Sequence, residues 1–312
     1  MSASSPSHAT AFAPASVGNV AIGFDILGFA VEALGDRVQV ARRAAPGVEI
    51  RAVRGAGELP REAHDNTAGR ALLALQEAVR PGFGFCVEID KGIPLGAGLG
   101  GSAASAVGAV VAANALLPQP LSRLELLKFA MAGEAVASGA RHADNIAPSL
   151  FGGLVLTVGI DHPRVKQIPV PAAIRAVIVH PHMFLATAKA RAILRLSVDL
   201  SDFVWQTANL AGFISGCYTD DLDMIRASFE DVVIEPQRAA LIPGFPQVRQ
   251  GAMEAGALGC SISGAGPSMF AWALESTAPA VLAAMRREFA RRSLATDHWV
   301  IELRSAGARL IG

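Results

Sequence analysis

Residues 94–105 read PLGAGLGGSAAS, with four glycines at 96, 98, 100 and 101 and a run of small residues immediately behind them. Phe83, Phe85, Val87 and Ile89 alternate with Gly84, Cys86, Glu88 and Asp90 just upstream, the period of a half-buried strand. Downstream, Ser102 to Pro118 is rich in Ala and Gly and reads as a buried core helix. The glycines therefore join a strand to a helix through a turn whose backbone can take positive φ and approach a ligand closely. A helix N-terminus behind such a turn presents unpaired N–H groups carrying about half a positive charge. An anion fits there, and a nucleotide phosphate fits best.

Two phosphate patterns are excluded by their missing parts. Gly96, Gly98 and Gly101 satisfy GxGxxG, but a dinucleotide fingerprint also needs an acid about 20 positions on to hold the ribose. That region is Leu116 to Ser122, LLPQPLS, without an acid. A Walker loop requires Gly-Lys-Ser/Thr, whereas Lys91 precedes the glycines and Ser102 follows Gly101 directly.

Lys+Arg and Asp+Glu balance at 27 each, so no global field selects nucleic acid or an anionic membrane. With 52% hydrophobic and 17% charged residues in 312, the chain reads as one compact body or two closely packed domains. The Ser102–Pro118 stretch is too short for a membrane span of about 20 residues. The N-terminal MSASSPSHATAFAPAS has no basic region and no sustained apolar core, so a cytoplasmic protein is expected. Cys86, Cys217 and Cys260 are odd in number and widely spaced, and read as buried free thiols.

Helical patterns are expected at Asn66–Arg80, at Ser122–Val136 behind a Ser122/Glu125 capping box, at Ser201–Ile214, at Leu222–Val233 and at Ala278–Arg292. Strands are expected at Leu154–Val158, Ala176–Val179, Leu258–Ile262, Met269–Leu274 and His298–Leu303. Three prolines and several charges between Asp161 and Pro171 place a domain junction there, dividing residues 1–165 from 166–312.

Three further segments carry chemistry. Pro14–Gly28, PASVGNVAIGFDILG, has too many turn formers for a regular element, and its Asn19 and Asp25 read as caps or as ligand groups. Gly133–Gly153 carries Glu134 in a helix and gathers His142, Asp144 and Asn145 in a loop. A carboxylate near a phosphate turn is the usual way to hold Mg²⁺. Gly259–Ser268, GCSISGAGPS, reads as a hairpin between two strands.

In this order the glycine-bearing segments resemble the GHMP kinase superfamily, and in detail its homoserine kinase branch. The resemblance rests on PASVGNVAIGFDILGFA, PLGAGLGGSAAS, HADNIAPSLFGG, EPQRAALIPG and LGCSISGAGPS, and spans Pro14 to Ser268. It implies an α+β, two-domain GHMP kinase fold, with an N-terminal domain like the second domain of ribosomal protein S5 and a ferredoxin-like C-terminal domain. The implied reaction transfers the γ-phosphoryl group of ATP, with Mg²⁺, to the side-chain hydroxyl of L-homoserine in threonine biosynthesis. A homodimer is the family expectation.

By the same resemblance, the ATP site would comprise Asn66, near the adenine, with Pro94, Leu95, Gly96, Ala97, Gly98, Leu99, Gly100, Gly101, Ser102, Ala103 and Ala104. Gly98 to Ser102 would cradle the phosphates, and Ser102 and Glu134 would hold Mg²⁺. Asn19, Asp25, His142, Asn145, Arg191 and Arg238 would surround the amino acid, with Asn145 and Arg191 nearest the chemistry. Two arginines can grip a carboxylate, and Asp25 is a natural partner for an ammonium. Asn145 is neutral and would orient the hydroxyl, so no essential base is expected. Gly101 stands where the family has a first serine, Ala21 where it has a glycine, and the AILRLS segment after Arg191 lacks a usual proline. Asp144 acts as a base only if its loop turns the other way. Two alternatives stay open: another small-molecule kinase of this superfamily, or a nucleotide-sensing member without catalysis.

Overall fold

The computed structural model describes residues 6–55, 57–138, 142–159 and 161–311. Residues 139–141 of the Gly133–Gly153 segment and residues 1–5 of the N-terminal stretch lie outside them. The first part of the chain forms β1 (His8–Gly18), β2 (Leu27–Arg43), β3 (Val48–Arg54), α1 (Thr67–Val79) and β4 (Gly84–Asp90). Next come α2 (Gly101–Asn114), α3 (Arg123–Ser138), α4 (Ile146–Phe151), β5 (Leu154–Val158) and β6 (Arg164–Ile168). The second part forms β7 (Ile174–Pro181), α5 (Thr187–Ala192), α6 (Leu200–Thr219), α7 (Leu222–Ala227), α8 (Glu235–Arg238) and α9 (Phe245–Glu254). It ends with β8 (Ala257–Ile262), β9 (Met269–Leu274), α10 (Ala278–Ala290), β10 (Thr296–Glu302) and β11 (Arg309–Leu310).

The first sheet has seven strands in the order β11-β1-β2-β4-β3, with β5 on the far end of β2 and β6 beside β5. The second has the order β10-β7-β9-β8, all antiparallel, with α9 and α10 packed on it. That is the ferredoxin-like arrangement expected from the resemblance. The capping box is realised: Ser122 N donates to Glu125 Oε2 at 2.8 Å and Glu125 N to Ser122 Oγ at 3.3 Å. All three cysteines are buried and free. No helix among the described residues is long and apolar enough to cross a membrane.

The domains meet on an aromatic cluster. Phe29 of β2 lies 5.5 Å from Phe270 and 6.2 Å from Trp272 of β9, ring centre to ring centre, and Phe213 of α6 lies 5.0 Å from Trp272. All four are fully buried, so removing one costs about 3–5 kcal/mol. This fixes the two sheets against each other and so fixes the cleft between them.

The structure departs from expectation in three places. Pro14–Gly28 is not irregular throughout: Pro14–Gly18 completes β1 and Leu27–Gly28 opens β2, with a bulge at Pro14/Ala15. The end of β1 is buried on both faces, so it lacks the alternation that marks a strand. The helix expected at Leu222–Val233 ends at Ala227. Asp231 then accepts from the backbone N–H groups of Val233, Ile234 and Glu235, an alternative to continuing the helix. The boundary expected between residues 165 and 166 falls within β6; the chain leaves the first sheet at Ile168 and enters the second at Ile174.

Candidate active site

The glycine run lies at the mouth of a cleft of about 540 Å³ between the two sheets, lined by residues 94–102 together with Glu134, His142, Asn145, Phe184 and Thr187. Gly96, Gly98 and Gly100 have φ of 64°, 73° and 66°. The intervening Ala97 and Leu99 are each 1% exposed, so the alternation sends apolar side chains inward and leaves glycine backbone on the cleft. Gly100 is the N-cap of α2 and makes no side-chain cap bond, which leaves the first N–H groups of a 14-residue helix for a ligand. A Cβ on Gly100 would collide with Ser16 Oγ.

The loop is held from both domains. Ser16 N donates to Leu99 O (3.1 Å), Ser268 N to Ala97 O (3.1 Å) and Ser263 Oγ to Gly98 O (2.7 Å). The GCSISGAGPS hairpin is thus a clamp on the phosphate loop, a role invisible in its local sequence. Beneath the first turn of α2, Lys91 Nζ donates to Asp36, to Gly101 O (2.6 Å) and to Ser105 Oγ (2.9 Å). Ser105 Oγ in turn donates to Asp36 Oδ2 (2.7 Å). The Lys91 and Asp36 side chains are 3% and 0% exposed, and this buried pair is compensated because every ammonium hydrogen has an acceptor. Sequence reasoning used Lys91 only to reject a Walker loop.

Glu134, on α3, is hydrogen-bonded to Ser102. Burial pushes its carboxyl up to about 7, against the opposing effects of Ser102 and of His142. A divalent cation would reverse that by favouring the charged form. A carboxylate and a hydroxyl oxygen converging beside a phosphate-type loop suit Mg²⁺, which takes one or two protein oxygens and keeps several waters.

Across the cleft, Asn145 is fixed at both ends of its amide: Oδ1 accepts from Ser16 Oγ at 2.9 Å, and Nδ2 donates to Asp144 Oδ2 at 3.1 Å. Asp144 Oδ1 pairs with His142 Nδ1 at 3.0 Å. Burial opposes charge on His142, but the hydrogen bond and charge of Asp144, helped by Asp25 and Glu134, raise its pKa above the usual histidine value. His142 Nε2 is buried with no protein partner, a polar atom set for a ligand. Asp25, His142 and Asp144 offer ligating atoms within 4.8 Å of one another.

Asp25 sits at φ 64° on the turn after β1, its N–H donating to Asn19 Oδ1 at 3.1 Å. Its carboxylate takes both contacts from Arg191 Nη2, at 2.7 and 3.0 Å. Arg191 and Arg238 lie over the Phe24 ring at 5.4 and 5.2 Å. Burial and the neighbouring Arg191 lower the pKa of Arg238, whose Nε and Nη1 donate to Ala190 O and Gly264 O. Asn19 Nδ2 donates to the same Gly264 carbonyl at 2.9 Å, so Asn19 ties the Asp25 turn to the C-terminal domain.

Some expected residues stand apart. Asn66 is the N-cap of α1: its Oδ1 accepts from Ala68 N and Gly69 N, and its Nδ2 donates to Pro60 O. It does not line the cleft. Ala103 and Ala104 are buried in α2. Phe184 and Thr187 line the cleft but escaped sequence reasoning, because neither belongs to a glycine motif.

The chain is similar to known proteins along nearly its whole length. The GHMP kinases N terminal domain model matches residues 66–153, and the GHMP kinases C terminal model matches residues 213–291. A homoserine kinase of Xylella fastidiosa is 50% identical over 310 residues, covering 97% of this chain and 94% of that protein. One from Chlorobaculum tepidum is 43% identical over 316 residues, covering 97% and 98%. The crystal structure of homoserine kinase from Cytophaga hutchinsonii superposes with a TM-score of 0.95 at 42% identity, covering 100% of this chain and 99% of that one. With both domain models matched in order and relatives of this identity along nearly its whole length, the chain belongs to the GHMP kinase family.

Proposed function

We propose that this protein is a homoserine kinase, transferring the γ-phosphoryl group of ATP to the side-chain hydroxyl of L-homoserine. The observation that carries the reading is one interdomain site in which a helix-opening glycine loop is joined by Asn145 and His142, with the Asp25–Arg191 pair beside His142. The loop suits the phosphates of ATP. The opposite charges suit the ammonium and carboxylate of an amino acid. The names of the relatives agree.

Ser102 and Glu134 would hold Mg²⁺, which when bound neutralises charge on the phosphates. The residues of the chain then do three things. The α2 N-terminus and the glycine backbone bind the phosphate oxygens. Asn145, fixed by Ser16 and Asp144, retains one N–H and one oxygen lone pair with which to orient the acceptor hydroxyl. Arg191 and Arg238 hold the carboxylate end, so the hydroxyl is aligned by its opposite end. Asp144 has one oxygen on His142 and the other on Asn145, which supports a mechanism without a strong base, as a loose phosphoryl-transfer transition state allows.

The test is ADP release with Mg-ATP in the presence of L-homoserine, mevalonate, L-serine or no acceptor. Release should depend on L-homoserine, and Arg191→Ala should lower kcat/KM at least about 100-fold, the scale of a lost charge-assisted contact of about 3 kcal/mol, with ATP binding unchanged. ATP binding without stimulation by any acceptor would leave the nucleotide site standing and remove the homoserine assignment.

A further inference from the structure

Asp25 and Arg191 are bound to each other, although each has the right charge for one end of an amino acid. Both side chains are partly open, at 28% and 29% exposure, so a ligand can reach them. Only Nη2 of Arg191 reaches Asp25, while its Nε is buried with no protein partner. The partners are seated independently. Asp25 is fixed by the Asn19 contact at a left-handed position, and Arg191 lies on α5 over Phe24.

We propose that this pair is a charge-exchange latch that selects substrates carrying both an ammonium and a carboxylate, an inference that rests on the homoserine kinase reading. The incoming carboxylate replaces Asp25 on Arg191 while the ammonium replaces Arg191 on Asp25. Charge alternation is preserved, and net charge in the pocket does not change. A ligand with a single charge also has to break the pair but replaces only one of its two charges, leaving Asp25 among Asp144, His142 and Arg238, or Arg191 beside Arg238, without its bonded partner. Asp25 and Arg191 therefore determine specificity by what they do to each other as well as by what they touch.

The experiment measures dissociation constants by calorimetry for L-homoserine, 4-hydroxybutanoate, which lacks the ammonium, and 3-aminopropan-1-ol, which lacks the carboxylate. The full-length protein is used in wild-type form and as Asp25→Asn, Arg191→Met and the double variant. Asp25→Asn should weaken homoserine at least tenfold yet tighten 4-hydroxybutanoate several-fold, because Arg191 is released. Arg191→Met should likewise tighten 3-aminopropan-1-ol. In the double variant the gain for 4-hydroxybutanoate should vanish; if it persists without Arg191, relief of simple repulsion explains it and the latch is wrong. No tightening in either single variant overturns it too. A non-hydrolysable ATP analogue binding each variant as it binds wild type shows that the fold is kept. Homoserine-dependent ADP release by wild type separates the two levels: if present while the gains are absent, only the latch falls, and if absent, the kinase reading falls and the latch with it.

Discussion

Replacing Gly98 with alanine tests whether the phosphate loop depends on backbone that only glycine supplies. Gly98 has φ 73°, and a Cβ there would lie 2.5 Å from Gly266 O and 2.6 Å from Ser263 O. Left-handed backbone costs a residue with a Cβ about 1–2 kcal/mol. Relieving the contacts moves the 263–266 loop away and breaks the 2.7 Å bond from Ser263 Oγ to Gly98 O, worth about 1 kcal/mol. The total is about 2–3 kcal/mol. Because part of the strain is released by displacing the loop, ATP affinity should fall by roughly 30-fold for about 2 kcal/mol expressed there. Thermal melting with and without an ATP analogue measures both effects. Gly101→Ser, three positions on, is the control: Gly101 is not at positive φ, the nearest atom to its Cβ is Ile93 Cγ2 at 3.4 Å, and serine suits a helix better by about 0.5 kcal/mol. If Gly98→Ala melts and binds ATP as Gly101→Ser does, the geometric account of the loop is refuted.

Glu134 gives a pH prediction. In the folded state it keeps its proton up to about pH 7, whereas the unfolded chain releases it near 4.5. The folded state therefore binds more protons in that window, and stability without ligands falls as pH rises through it, by about 3 kcal/mol. Glu134→Gln should flatten much of this slope in denaturant titrations at pH 5 and pH 8, leaving the parallel contribution of Glu235, also pushed up to about 7 by burial; an unchanged slope would contradict the burial account. The same variant should lose Mg-ATP turnover. Asp144→Asn should lower kcat less than 100-fold and leave the pH–rate profile with the same limbs. A fall of about 100-fold or more with loss of the acidic limb is the signature of a general base and would overturn the base-free mechanism.

How much of this was legible depended on whether a residue's role is local. The strand–glycine–helix unit around Gly98 could be read because the chain itself dictates it, as could the Ser122/Glu125 box. The same holds for the paired strands Leu258–Ile262 and Met269–Leu274. The Lys91–Asp36–Ser105 cluster joins residues up to 69 positions apart, and no periodicity announces it. Ser263 reaches Gly98 across 165 positions. For Asn66 the structure adds what the sequence does not show: its side chain caps α1 and donates to Pro60 O. The candidate residues can be named one by one from the sequence, but that Asp25 and Arg191 hold each other cannot be read there, because it is a property of two elements 166 residues apart.

The short strand β11 closes the chain against β1, with Ile311 N donating to Thr10 O at 2.9 Å and Ala308 N to Ser149 O at 2.8 Å. The second domain is thus topologically an insertion in the first, entered after Ile168 and left after Glu302. Two tethers and the buried Phe29–Phe270–Trp272 contact hold the second domain at three separate points, and three points define a plane: the Asp25 turn of one domain and α5 of the other are therefore kept in register.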